Sequence, residues 1–161
     1  MQKQISISYD EFSSLEELSS KDRELLEKAT QSAQNAYAPY SKFCVGAALR
    51  LSNGLIILGN NQENAAFPSG LCAERVAVFS AGANYPNMPI ETLAITAHST
   101  LTPVDHPIAP CGACRQSLIE YEHKYKQKIR IILRGHTGKI AIFDGIESLL
   151  PFQFGSDELG L

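Results

Sequence analysis

No apolar run in the 161-residue chain approaches the ~20 residues that span a bilayer. The opening stretch, MQKQISISYDEF, has no apolar core of the kind a secretory leader carries. There is no N-x-S/T acceptor site, no internal repeat, no low-complexity tract and no visible linker. Basic residues do not outnumber acidic ones: 14 against 17 leave a formal net charge of −3. A partner held by bulk positive charge, such as a nucleic acid, would need a basic excess or stripe. These absences set the expectation of a soluble, cytoplasmic protein with neither a membrane nor a nucleic-acid partner.

What is present suits a folded domain. The chain is 44% hydrophobic and 19% charged, which excludes disordered and collagen-like classes. A chain of this length buries ~70% of its unfolded surface without needing a staple. We expect a single domain over residues 1–161, with residues 1–18 as an N-terminal extension. Within that extension Ile5, Ile7 and Tyr9 alternate with polar residues, which suggests a short edge strand.

The remaining pattern alternates helices and strands. Residues 19–38 read as a helix with Ser20 as its N-cap, stopped by Pro39. Phe43 to Leu51 and Leu55 to Gly59 flank Ser52-Asn53-Gly54, a hairpin signal. Helices are expected from Cys72 to Ala83 and from Cys111 to Lys124. Further strands are expected from Leu93 to Ala97, Ile129 to Leu133 and Ile140 to Phe143. The charged run from Glu120 to Lys128 reads as a solvated helix end. This order predicts an α/β architecture: a three-layer α-β-α sandwich with a mixed central sheet and helices on both faces.

Four cysteines are present: Cys44, Cys72, Cys111 and Cys114. Cys44 sits in an apolar run and reads as a small core residue. Cys111 and Cys114 are three apart at the start of a predicted helix, so they share a face and can grip one ion. Cys72 begins another predicted helix. Helix N-termini carry partial positive charge, which favours thiolates, the form that binds metal. Thiolate donors point to zinc. Three cysteines leave a fourth position for water or for a histidine; His98, His106, His123 and His136 have no ligand spacing to them, and spacing leaves the choice open. Glu74, two residues after Cys72, is placed to reach a water on the metal rather than to ligate it.

The segments AYAPYSKFCVGAAL (36–49), GNNQENAAFPSGLCAER (59–75), PCGACRQ (110–116) and LLPFQFGSDEL (149–159) occur in order and spread over most of the chain. In them the chain resembles the homotetrameric-type cytidine deaminases. The resemblance implies hydrolytic deamination of cytidine and 2′-deoxycytidine in pyrimidine salvage, with one zinc per subunit. It implies Cys72, Cys111 and Cys114 as zinc ligands and Glu74 as the proton carrier. Asn61 and Glu63 would bind the ribose hydroxyl, and Phe43 and the Ala73 backbone the base. Phe154 would reach the base from a neighbouring subunit, in a homotetramer with shared sites. Arg75 would hydrogen-bond the thiolates and offset their charge. Phe67 stands where many relatives carry tyrosine. The alternatives are a deaminase of another cytosine-bearing compound, such as blasticidin S, and a zinc-stabilised module without catalysis.

Overall fold

The computed structural model describes residues 1–160. Six strands form one mixed sheet in the order β1-β6-β5-β4-β2-β3. They are β1 (Asp10–Phe12), β2 (Phe43–Leu51), β3 (Ile56–Asn60), β4 (Ile90–Ser99), β5 (Arg130–Arg134) and β6 (Ile140–Asp144). Only β4 and β5 run parallel, and the chain crosses between them through α3 (Gly112–Tyr125). Parallel neighbours need such a crossover. The other helices are α1 (Ser20–Ala33) and α2 (Ala73–Asn84). No helix is long and apolar enough to cross a membrane.

Two cores lie on opposite faces of the sheet. Side chains alternate along a strand, so neighbours such as Ala47 and Ala48, or Ile131 and Ile132, face opposite ways. Ala47, Leu49, Leu93, Ile95, Ile131 and Leu133 pack with Ala77 of α2 and Leu118 of α3. Ala48, Ala94, Ile132, Ile140 and Ile142 pack with Leu25, Leu26 and Ala29 of α1. The expected three-layer sandwich is the observed one.

Two glycines let the helices close onto the β2–β3 hairpin. A Cβ on Gly46 would overlap the backbone of Ala29 and Ala33, and one on Gly59 the backbone of Ala73 and Ala77. Gly59 therefore sets how closely the first turn of α2 approaches the sheet.

Several elements differ from the sequence reading. The edge strand is Asp10–Phe12 rather than 5–9; Asp10 pairs with Ile142 and Phe12 with Ile140, while Tyr9 stacks on Phe143 at 5.1 Å. The N-cap of α1 is Ser19, whose hydroxyl accepts from the Asp22 amide. The helix ends at Ala33, five residues before Ala38, and Gln34, Asn35 and Ala36 turn through bonds to carbonyls three residues back. Tyr37 then joins the loop after β3, donating to Asn61 and accepting from Glu63 through the backbone. The Glu120–Lys128 run is not all solvated. Glu122 is buried, and its Oε1 accepts the amides of Ile129 (2.7 Å) and Ile146 (2.9 Å). Burial raises its carboxyl above the ordinary range. It holds together the turn after α3 and the segment after β6.

Candidate metal centre and active site

Three cysteines meet at the N-termini of α2 and α3. Cys72 is the N-cap of α2 and Cys111 the N-cap of α3, both with extended backbone. Neither side chain caps its own helix, so both sulfurs are free to turn toward each other. Cys114 follows one helical turn after Cys111 and is fully buried. Cys72 Sγ lies 3.8 Å from Cys111 Sγ, which lies 3.5 Å from Cys114 Sγ, and all three fall within 4.8 Å of one another. A tetrahedral zinc with Zn–S ≈ 2.3 Å separates its sulfurs by ~3.8 Å. The donor set and its spacing fit that ion. Among the described residues no histidine, aspartate or glutamate joins the three sulfurs. This chain's cluster offers three donor atoms, all sulfur.

Electrostatics divide the thiols. The Cys114 thiol, with help from Arg75 and Cys111, hydrogen-bonds Cys72 and lowers it to about 5. As donor in that bond, and through burial, Cys114 is pushed far up. Arg75 Nη2 lies 3.8 Å from Cys72 Sγ, and its buried Nε has no protein partner. Two helix dipoles add positive potential at the same point.

Glu74 sits in the first turn of α2, with only 4% of its surface exposed. Burial raises its carboxyl above the usual carboxylate range, and the charge on Cys72 adds to the rise. A buried carboxyl with raised proton affinity, beside a metal-ligand cluster, is suited to moving protons.

A cavity of about 580 Å³ borders the cluster at Cys72, while Cys111 and Cys114 are not on its wall. Asn61, Glu63, Cys72 and Arg75 line it, together with Tyr40, Ser41 and Phe67. Asn61 and Glu63 are held by their surroundings. Asn61 Oδ1 accepts from the Val45 amide (2.8 Å), and its Nδ2 donates to the Phe43 carbonyl (2.9 Å). Glu63 Oε2 accepts from the Tyr40 amide at 2.9 Å, and Oε1 takes the Ser41 hydroxyl. Those bonds, led by Ser41, hold the Glu63 carboxyl below its usual range.

Phe43, Ala73, Glu74 and Phe154 are not on the cavity wall. Ala73 and Glu74 are buried on α2 next to Cys72, and Phe43 is half-buried at the start of β2. Phe154 is exposed on the C-terminal segment, its carbonyl held by Gln116 Nε2 at 2.9 Å. Cys44 is half-buried on β2 and takes no part in the cluster. Sequence reasoning passed over Ser41, Arg115 and Gln116. All three lie inside the segments that stood out, but their partners are 22 to 38 residues away, beyond any local spacing rule.

A sequence model of the cytidine and deoxycytidylate deaminase zinc-binding region matches residues 19–128. A cytidine deaminase of Halalkalibacterium halodurans is 43% identical over 139 residues, covering 86% of this chain and 98% of its own. One from Sporosarcina psychrophila is 34% identical, covering 84% of this chain and 92% of its own. The crystal structure of a Burkholderia pseudomallei cytidine deaminase superposes with a TM-score of 0.70 at 39% identity, covering 81% of this chain and 97% of that one.

Proposed function

The chain belongs to the cytidine and deoxycytidylate deaminase family, and on that premise we propose that it hydrolyses cytidine and 2′-deoxycytidine to uridine and 2′-deoxyuridine, releasing ammonia. It is a zinc-dependent hydrolytic deaminase. The observation that carries the site assignment is the three-sulfur cluster with buried Glu74 two residues from one of its members.

Cys72, Cys111 and Cys114 hold the zinc. When bound, the metal is a Lewis acid that makes water a nucleophile at neutral pH. Glu74 takes a proton from the attacking water as its oxygen bonds to C4 of the pyrimidine. Glu74 passes that proton to N3. It then takes the remaining hydroxyl proton and delivers it to the amine, which leaves as ammonia when the C4–N bond breaks. A carboxyl whose proton affinity is raised by burial is suited to alternate between base and acid in this way. Arg75 offsets the excess negative charge of three thiolates. Asn61 and Glu63 read the ribose hydroxyl, and a site built to bond a hydroxyl rejects analogues that lack it. Phe43 and the Ala73 backbone bound the base.

Phe154 lies outside the cavity of its own chain and is exposed. Both facts support a homotetramer in which it completes a neighbour's site. Dissociated subunits are then expected to be inactive, as read by turnover across a concentration series with the assembly state followed by light scattering. An active isolated subunit would remove the sharing. The chemistry fits a cytoplasmic enzyme of pyrimidine salvage.

The test of function is the loss of cytidine absorbance on adding zinc-loaded protein, with deoxycytidine, cytosine, CMP and blasticidin S alongside. Turnover of the two nucleosides is the expected result. Turnover of blasticidin S alone would replace the substrate. Zinc binding without turnover of any would point to a non-catalytic module.

A further inference from the structure

We propose that Arg115 is a positioning residue that ties the metal-binding turn to the C-terminal segment bearing Phe154. The proposal rests on the zinc and Phe154 assignments above and adds the link between them. Arg115 follows Cys114 on α3, one turn after Cys111, whose carbonyl accepts the Arg115 amide at 3.0 Å. Its side chain turns back on two separate stretches of chain. Nε donates to the carbonyl of Pro110, the residue before Cys111, at 2.8 Å. Nη1 donates to the carbonyl of Leu149 at 2.5 Å. One planar guanidinium thus spans two backbone carbonyls that lie 39 residues apart in the chain (149 − 110). Its fixed fork makes both bonds in one geometry, which a lysine ammonium on a flexible stem does not.

The segment from Leu149 to Phe154 has little structure of its own. It follows the short 3₁₀ helix Ile146–Ser148, contains Pro151, and places Phe152 in the left-handed region at φ 56°. It belongs to no strand or helix. Leu149 and Leu150 pack on the core, and α3 adds a polar tie at each end: Arg115 holds the start at Leu149, and Gln116 holds the end at Phe154. Gln153 lies 3.4 Å from His123 on the same helix. The turn that carries two of the zinc cysteines therefore also aims Phe154. Side chains that orient metal ligands from behind typically matter by 10–100-fold in metal affinity or activity.

The expected result for Arg115→Met, which keeps the stem and removes the donors, is a pair of changes. Zinc affinity, read by competition with a chromogenic chelator, falls roughly tenfold or more. KM for cytidine rises severalfold in fully zinc-loaded enzyme. Because Arg115 acts on KM through Phe154, Arg115→Met adds nothing to KM in a Phe154→Ala background. Arg115→Lys, run in parallel, shows the same pattern and serves if the methionine variant does not fold. Parental zinc affinity, a parental KM, or additive effects on KM in the double variant would each overturn the link, including where melting temperature alone falls. Failure of the underlying assignments reads differently. Zinc retained by Cys114→Ala removes the metal assignment, and an unchanged KM in Phe154→Ala removes the role of that ring.

Discussion

Glu74→Gln protein is expected to bind zinc as the parent does and to turn cytidine over ~10²–10⁴-fold more slowly, or worse. At about 1.36 kcal/mol per decade, that is ~2.7–5.4 kcal/mol of lost transition-state stabilisation. Glutamine matches the shape of glutamate and keeps hydrogen-bonding capacity, but it cannot take up and release a proton. The position is 96% shielded from solvent (100 − 4), so no bulk water replaces the missing carrier. Stability separates lost chemistry from misfolding. The carboxyl of Glu74 is raised above its unfolded value by burial. Its favourable contribution is complete only below the unfolded value, ~4.3, and is lost as pH rises through the folded one. As pH rises above the unfolded value, keeping this carboxyl in its buried place becomes progressively less favourable, a cost that the non-titrating glutamine does not carry. The variant is expected to melt no lower than the parent by calorimetry at pH 7.5. Near-parental turnover with full zinc occupancy would take the proton-carrier role away from Glu74.

The three-cysteine cluster was more legible in the sequence than the elements around it. Cys72 and Cys111 could be placed at helix starts because each follows a stretch rich in glycine, proline or both, and each precedes an apolar helical pattern. The hairpin at Ser52-Asn53-Gly54 was legible for a similar reason, since local turn chemistry decides it. The misread elements are those that long-range partners decide. Alternation at Ile5, Ile7 and Tyr9 is real, but β1 forms at Asp10–Phe12, where the free edge of β6 offers Ile142 and Ile140. The sequence pattern carries α1 up to Pro39, yet the backbone of Tyr37 is claimed by Asn61 and Glu63, and the helix stops at Ala33. Glu122 looked solvated because its sequence neighbours are charged. Two amides from distant turns draw it inside. Ser41 and Arg115 belong to the same class: their chemistry is ordinary until the fold supplies the partner.

Cys114→Ala should release the metal. Of the three sulfurs Cys114 is the fully buried one, and it lies 3.5 Å from Cys111 and within 4.8 Å of Cys72. Removing it leaves two donors and a pocket lined by alanine that no water can fill as a soft ligand. Zinc per subunit, measured after dialysis against a chelator, is expected to fall from one to near zero, and cytidine turnover with it. The thermal shift on adding zinc should vanish as well, because ligand-linked stabilisation needs tight binding to the folded state; at 1,000 times Kd it amounts to ~4 kcal/mol. The parent adds a pH signature. Hydrogen bonding to Cys72 and burial hold the proton on Cys114 well above the ordinary thiol range, and that proton must leave when zinc enters. Zinc uptake should therefore release protons and weaken as pH falls. The opposing pull comes from the centre itself: two helix N-termini and Arg75 favour negative charge where the thiolates form. If Cys114→Ala kept stoichiometric zinc, the metal would have to sit elsewhere, and the approach of α2 to α3 at these sulfurs would need another explanation.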